Sequence, residues 1–177
     1  MFDECSSGKN AFGPAFFAQH LSVVVEYAKR LGRTLAADLE IIELAAWLHD
    51  ISAVQDFAAL PKHPALSAAM ARKMLREKDY PSERIERVAR CIASHSAPVQ
   101  IGDGLPEEVC VSNADAMSQI VKPVYWLYYA FRVRQFGFAE GREWFRQRVE
   151  KNWAELIQPA KDVVENEYRQ VRALLML

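Results

Sequence analysis

Apolar residues recur every three to four positions through most of the chain, in stretches punctuated by glycine and proline, and this rhythm predicts helices rather than strands. Pro14 suits the first turn of a helix running to about Leu31 and stopping at Gly32, with Phe17, His20, Leu21, Val24, Tyr27, Ala28 and Leu31 on one stripe. Asp38 is placed to cap a second helix, on which Ile42, Ala45, Ala46 and His49 follow one face. A short helical turn is expected before Pro61. His63-Pro64 opens a helix to about Lys78, with His63, Leu66, Met70 and Met74 sharing a face, and Pro81-Ser82 opens another that aligns Ile85, Val88, Ala89, Ile92 and His95. After a loop holding Pro98, Gly102, Gly104 and Pro106, Glu107 and Glu108 suit the positive end of a helix that passes Asp115 and ends near Val121. Pro123 restarts a helix to Gly137, a longer one follows to about Gln158, and Pro159 begins a last one that runs nearly to Leu177. With no alternating strand and no internal repeat, the expected fold is an all-α bundle of about seven to nine helices.

Composition narrows the class without changing that picture. The chain has 177 residues, which suits one domain over 1–177 with a full-sized core. A net charge of −1 with 51% apolar residues excludes a disordered chain and a nucleic-acid field. Arg132, Arg134, Arg142, Arg146 and Arg148 are interleaved with aromatic residues between Tyr125 and Trp153, an arrangement that can stack bases. Because the chain as a whole is not basic, the preferred reading is an amphipathic helical pair with a solvated basic face, and nucleic acid is not an expected partner. Met1-Phe2-Asp3-Glu4 lacks the basic and apolar regions of a secretory leader, and no apolar run reaches the length of a membrane span. No membrane partner is expected, and the expected compartment is the cytoplasm. Cys5, Cys91 and Cys110 are odd in number and widely spaced, so they read as reduced bystanders rather than a disulfide or thiolate-zinc framework.

The chemical signal lies in the histidines and two carboxylates. His49 and Asp50 close an apolar run, Ala45-Ala46-Trp47-Leu48-His49-Asp50-Ile51, and no Lys or Arg stands within four residues of Asp50. A carboxylate drawn into an apolar setting needs protonation, a distant cation or a metal ion. Asp115 repeats the problem, with Val111, Ser112, Ser118 and Gln119 as its helical neighbours. The four histidines, His20, His49, His63 and His95, all fall on apolar faces of successive helical segments. A helical bundle brings such inward positions to a common centre. Two Asp with two to four His suit Mn²⁺, Fe²⁺, Ni²⁺, Co²⁺ or Zn²⁺ better than Mg²⁺ alone, and the lack of thiolates argues for open coordination positions and hence chemistry.

The ordered set His20, His49-Asp50, His63, His95, Asp115 resembles the HD-domain superfamily of metal-dependent phosphohydrolases. The surrounding stretches Ala45 to Ile51, His63-Pro64-Ala65-Leu66-Ser67-Ala68, Ile92-Ala93-Ser94-His95-Ser96 and Asn113-Ala114-Asp115 are similar to its successive motifs. The resemblance covers about residues 15–121, leaving 122–177 as a C-terminal helical extension. It departs from the pattern of nucleotide-acting relatives at Asn113 and Ser118, where acidic residues are common.

The resemblance implies that His20, His49, Asp50 and Asp115 hold a first divalent metal. His63 and His95 then either hold a second ion or contact substrate phosphate, and Asp50, His63 and His95 are the catalytic set. The implied reaction is hydrolysis of a phosphate ester or anhydride, from a nucleotide or another small phosphorylated substrate, by metal-activated water. Asp50 is assigned both as ligand and as proton acceptor. Lys62, beside His63, and Lys122, seven residues after Asp115, are candidates for contacting the phosphate. The alternatives are an HD-type diiron oxygenase cleaving a phosphonate or polyol, and a non-catalytic metal-binding module. Assembly into a homo-oligomer is left open by the sequence.

Overall fold

The computed structural model describes residues 1–176, which carry helices and no strand. A short α1 (Phe2–Ser6) precedes a π turn (Phe17–Leu21) that runs directly into α2 (Ser22–Thr34). Then come α3 (Leu39–Leu48), α4 (Ile51–Gln55), a 3₁₀ segment (Phe57–Lys62), α5 (His63–Arg76) and α6 (Ser82–Ser94). The second half consists of α7 (Pro106–Val121), α8 (Pro123–Tyr128) with a second π turn (Tyr129–Val133), α9 (Phe138–Glu155) and α10 (Gln158–Leu175).

The bundle is built around α7. Of its residues, Val109 to Ala114 and Met117 to Ile120 are buried, so it is covered on nearly all sides, as a central helix must be. The α2, α3, α6, α9 and α10 helices all pack on it, while α5 lies against α6 and α4. The starts of these helices follow the sequence signals. Asp38 accepts hydrogen bonds from the amides of Glu40 and Ile41, capping α3. Glu108 accepts from the Leu105 amide at 2.9 Å and caps α7. Glu107 instead crosses to the Asp38 amide and to Arg87, both at 2.9 Å, joining the N-termini of α3 and α7 to α6.

Three expectations change in the structure. Gly32 does not stop α2, which continues to Thr34 and is turned out by Ala36 at φ 52°. A Cβ on Gly32 would meet Ile42 Cδ1 at 2.5 Å, so this glycine serves the close approach of α2 to α3. On α5 the buried face is Ser67, Ala68, Ala71 and Leu75, whereas Leu66 and Met74 are exposed. Small residues let α5 lie close to its neighbours, and this outranks the apolar stripe drawn through the larger side chains. The π turn adds a residue upstream of α2, so that Phe16 rather than Phe17 is the fully buried partner of His20. Phe17 stacks instead on Trp47 at 5.2 Å.

The three cysteines are free and buried. Burial pushes the Cys5 thiol up to about 11 and Cys110 to about 12, with Cys91 also raised, so all three are unreactive thiols. Among the described residues no helix is long and apolar enough to cross a membrane.

Candidate metal centre

The six residues singled out in the sequence meet at one point beneath a cavity of about 350 Å³. Breaks between helices put most of them there. His20 lies in the π turn, a local widening that often accompanies functional sites. His49 is the C-cap of α3 and Asp50 the N-cap of α4, with Asp50 at φ −107°, ψ 9°, in the sparsely used bridge region between the two helical wells. His63 is the first residue of α5, His95 the C-cap of α6, and Asp115 projects from the middle of α7.

Each imidazole is oriented through its Nδ1. His49 Nδ1 donates to the Ala46 carbonyl at 2.8 Å, His63 Nδ1 to Leu60 at 2.7 Å, and His95 Nδ1 to Ile92 at 2.6 Å. Ser118 Oγ donates to the Asp115 carbonyl at 2.7 Å and is left to accept from His20 Nδ1 at 2.9 Å. Since carbonyls only accept, Nδ1 carries the proton in His49, His63 and His95, and the same follows for His20 once the Ser118 proton is committed. All four Nε2 atoms therefore face the centre. They meet in pairs, His20 with His49 at 3.0 Å and His63 with His95 at 3.0 Å. Two neutral imidazoles so arranged would oppose lone pair to lone pair. A cation between them, either a proton or a metal ion, removes the conflict.

Asp50 joins the two pairs. Its Oδ2 lies 3.3 Å from both His20 and His49 Nε2, and its Oδ1 lies 3.1 Å from His63 and 3.7 Å from His95. Asp115 belongs to the first pair, with Oδ1 at 3.4 Å from His20 and 4.0 Å from His49. Burial alone would lower the pKa of His49, but the Asp50 and Asp115 carboxylates outweigh it and hold the imidazole up to about 9. Burial alone would raise Asp50, yet the surrounding imidazoles carry it well below the usual carboxylate range. The carboxylate that had no local cation in the sequence thus lies among imidazoles gathered from four segments.

Within 4.8 Å the donor atoms form two groups that could hold a metal ion, His20 with His49 and Asp50, and Asp50 with His63 and His95. Imidazole nitrogen and carboxylate oxygen fit the expected borderline divalent metals. A sequence model of the family described as "HD domain" matches residues 17–120, more than half of the chain. The chain is an HD-domain protein. The match ends with α7, so the HD-domain region contributes all six centre residues, and α8, α9 and α10 lie beyond it. No curated protein and no solved structure matched the chain.

Lys62 and Lys122 do not line the cavity above this HD-domain centre; Lys62 is exposed at the start of α5 and Lys122 ends α7. Its cationic wall comes instead from Arg134, Arg148 and Lys151, two of which the sequence assigned to a solvated face. Ser96 also went unassigned, although its Oγ sits 3.2 Å from His63 Nε2 and 3.0 Å from His95 Nε2. Its place directly after His95 was the available signal. Asn113 and Ser118, the two departures from the nucleotide-acting pattern, both make buried structural hydrogen bonds. Asn113 donates to the Val99 and Val109 carbonyls and accepts from the Ile157 amide, while Ser118 orients His20.

Proposed function

We propose that the protein is a metal-dependent phosphohydrolase acting on a small phosphate ester or anhydride. The observation that carries this reading is the bridging position of Asp50, with one oxygen toward each pair of converging Nε2 atoms. His20, His49, Asp50 and Asp115 would hold one divalent ion, and Asp50, His63 and His95 a second. When bound, such ions supply Lewis acidity that acidifies water and polarises a phosphoryl oxygen.

The protein's own groups divide the remaining work. The carbonyls of Ala46, Leu60 and Ile92 and the hydroxyl of Ser118 fix the four imidazoles in the Nε2-acceptor tautomer, so no reorganisation is needed when charge develops. Asp50 is a fixed negative charge between the two pairs of imidazoles. Asp115 borders the cavity with its Oδ1 near His20 and His49, so it is a second carboxylate placed to take a proton from water. Water then bonds to phosphorus as the bond to the leaving oxygen breaks; one water proton passes to the carboxylate and the leaving oxygen ends protonated.

The test is metal analysis after anaerobic purification, joined to a panel of nucleotides, sugar phosphates and simple phosphodiesters. Phosphate or phosphoester release with bound metal is expected. Asp50→Ala should abolish both metal content and turnover while circular dichroism keeps its helical signal. Turnover that consumes dioxygen and releases no phosphate would move the protein to the oxygenase reading, and bound metal with no turnover of either kind would favour a binding module.

A further inference from the structure

We infer that the C-terminal extension reads a second anionic group on the substrate, so that the favoured substrates are small phosphate esters whose organic end carries a carboxylate or another phosphate. This rests on the phosphohydrolase reading and adds a substrate class to it. Arg148 of α9 lines the cavity and is held from three sides. Its guanidinium lies 5.8 Å from the Trp126 ring centroid and 5.6 Å from that of Trp144, and its Nε donates to Gln119, which also accepts from Asn152 Nδ2 at 3.0 Å. The two indoles and the Nε bond to Gln119 restrict the guanidinium, which leaves its two terminal amino groups free to meet an anion. No carboxylate pairs with Arg148 or with Arg134, the other arginine of this wall, among the described residues. Lys151 in the same wall is offset by Glu155 at 3.9 Å.

These cations exceed what the phosphoryl group needs. Two divalent ions bring four positive charges, Asp50 and Asp115 offset two, and the remaining two match a phosphoryl dianion. The arginines are surplus to that balance, and an unpaired guanidinium in a cavity is a site for a carboxylate or a phosphate. Trp126 also lines the cavity and meets the His20 ring edge-on at 5.4 Å. Trp126 therefore neighbours both the Arg148 guanidinium and a residue of the metal centre, and the second anion would lie in the same cavity as the first.

The test uses equilibrium binding rather than turnover. Metal-loaded full-length protein is titrated calorimetrically with propylphosphonate, 3-phosphonopropionate and propane-1,3-bisphosphonate, which differ at the end remote from the phosphonate. The wild type should prefer one or both ligands with two anionic groups over propylphosphonate by about tenfold or more. Arg148→Gln and Arg134→Gln should each collapse that ratio toward one; both positions are exposed, and helicity of each variant is checked by circular dichroism. Which of the two ligands with a second anionic group binds tighter tells carboxylate from phosphate. The inference is overturned if the wild type shows no preference, if none of the three ligands binds, or if both variants leave the ratio unchanged, as they would if the arginines held the phosphoryl group itself. Failure of the phosphohydrolase reading shows separately, as absence of phosphate release across the substrate panel.

Discussion

His49 is fully buried and still basic, because Asp50 and Asp115 stand within 4.0 Å of its Nε2. Its pKa is raised from 6.5 to about 9, so in the metal-free protein it adds stability that is complete below about pH 6.5 and is lost as pH rises through about 9. Asp50 is shifted the other way, from 3.8 downward, so its contribution is present above that pH and lost in acid. With chelator present, the melting temperature should therefore fall between pH 6.5 and 9, a fall the metal-loaded protein does not share. Metal uptake at neutral pH should also release a proton, which calorimetry in two buffers of different ionisation heat would detect; no buffer dependence would contradict a protonated His49. Ser118 acts one step further out, as the acceptor for His20 Nδ1. Ser118→Ala should weaken metal affinity about 10- to 100-fold with little change in helicity, since outer partners of ligating imidazoles typically matter by that factor.

At the scale of elements, the centre depends on where helices break. Three of the four histidines lie at helix ends and donate to the carbonyl three residues back, which turns Nε2 inward without a dedicated partner. The fourth, His20, reaches the centre through a π turn. Ser67 adds a cross-link, accepting from the Ser52 amide at 3.2 Å, while Ser52 Oγ donates to the His63 carbonyl at 3.2 Å, so α4 and α5 keep Asp50 and His63 in register. Asn113 does the same for α7, the loop before it and the start of α10, through three buried hydrogen bonds. Asn113→Asp would set a carboxylate against two carbonyl oxygens with no cation beside it. It should cost about 3–5 kcal/mol, the range seen for an uncompensated buried charge, and lower the urea midpoint accordingly. Unchanged stability would mean that this position can house the acidic residue of the nucleotide-acting pattern.

For the whole molecule, the centre draws ligands from the N-terminal π turn, from the helix junctions between α3 and α6, and from α7, so a bound ion clamps the entire bundle. Ligation of the folded state alone should raise stability by about 2.7 kcal/mol when free metal is at 100 times its dissociation constant. Thermal melts with and without Mn²⁺, Fe²⁺ or Zn²⁺ measure this directly, and a melting temperature indifferent to all of them would contradict a metal centre. The helices beyond the family match complete the cavity rather than the centre, since Arg134, Trp144 and Arg148 wall it and contribute no donor to the His and Asp cluster. Under the proposed function, chemistry falls to residues 17–120 and substrate recognition to the helices C-terminal to them.

The sequence by itself determined the helical class, most helix starts and the six residues that converge, because proline, capping residues and apolar periodicity act over a few neighbouring positions. A stranded buried carboxylate such as Asp50 is also a local fact, visible as an absence of nearby cations. What filled that absence was decided only in three dimensions, by the imidazoles of His20, His63 and His95 arriving from distant parts of the chain to join the adjacent His49. The same holds for Gly32, whose role is fixed by Ile42 across a helix interface, and for the buried face of α5, chosen by how closely its neighbours approach. Arg148 reads as a solvated cation along the chain and becomes a wall of the cavity only once Trp126, Trp144 and Gln119 close around it. Local sequence sets which groups are available; the packing of distant helices sets which of them face one another.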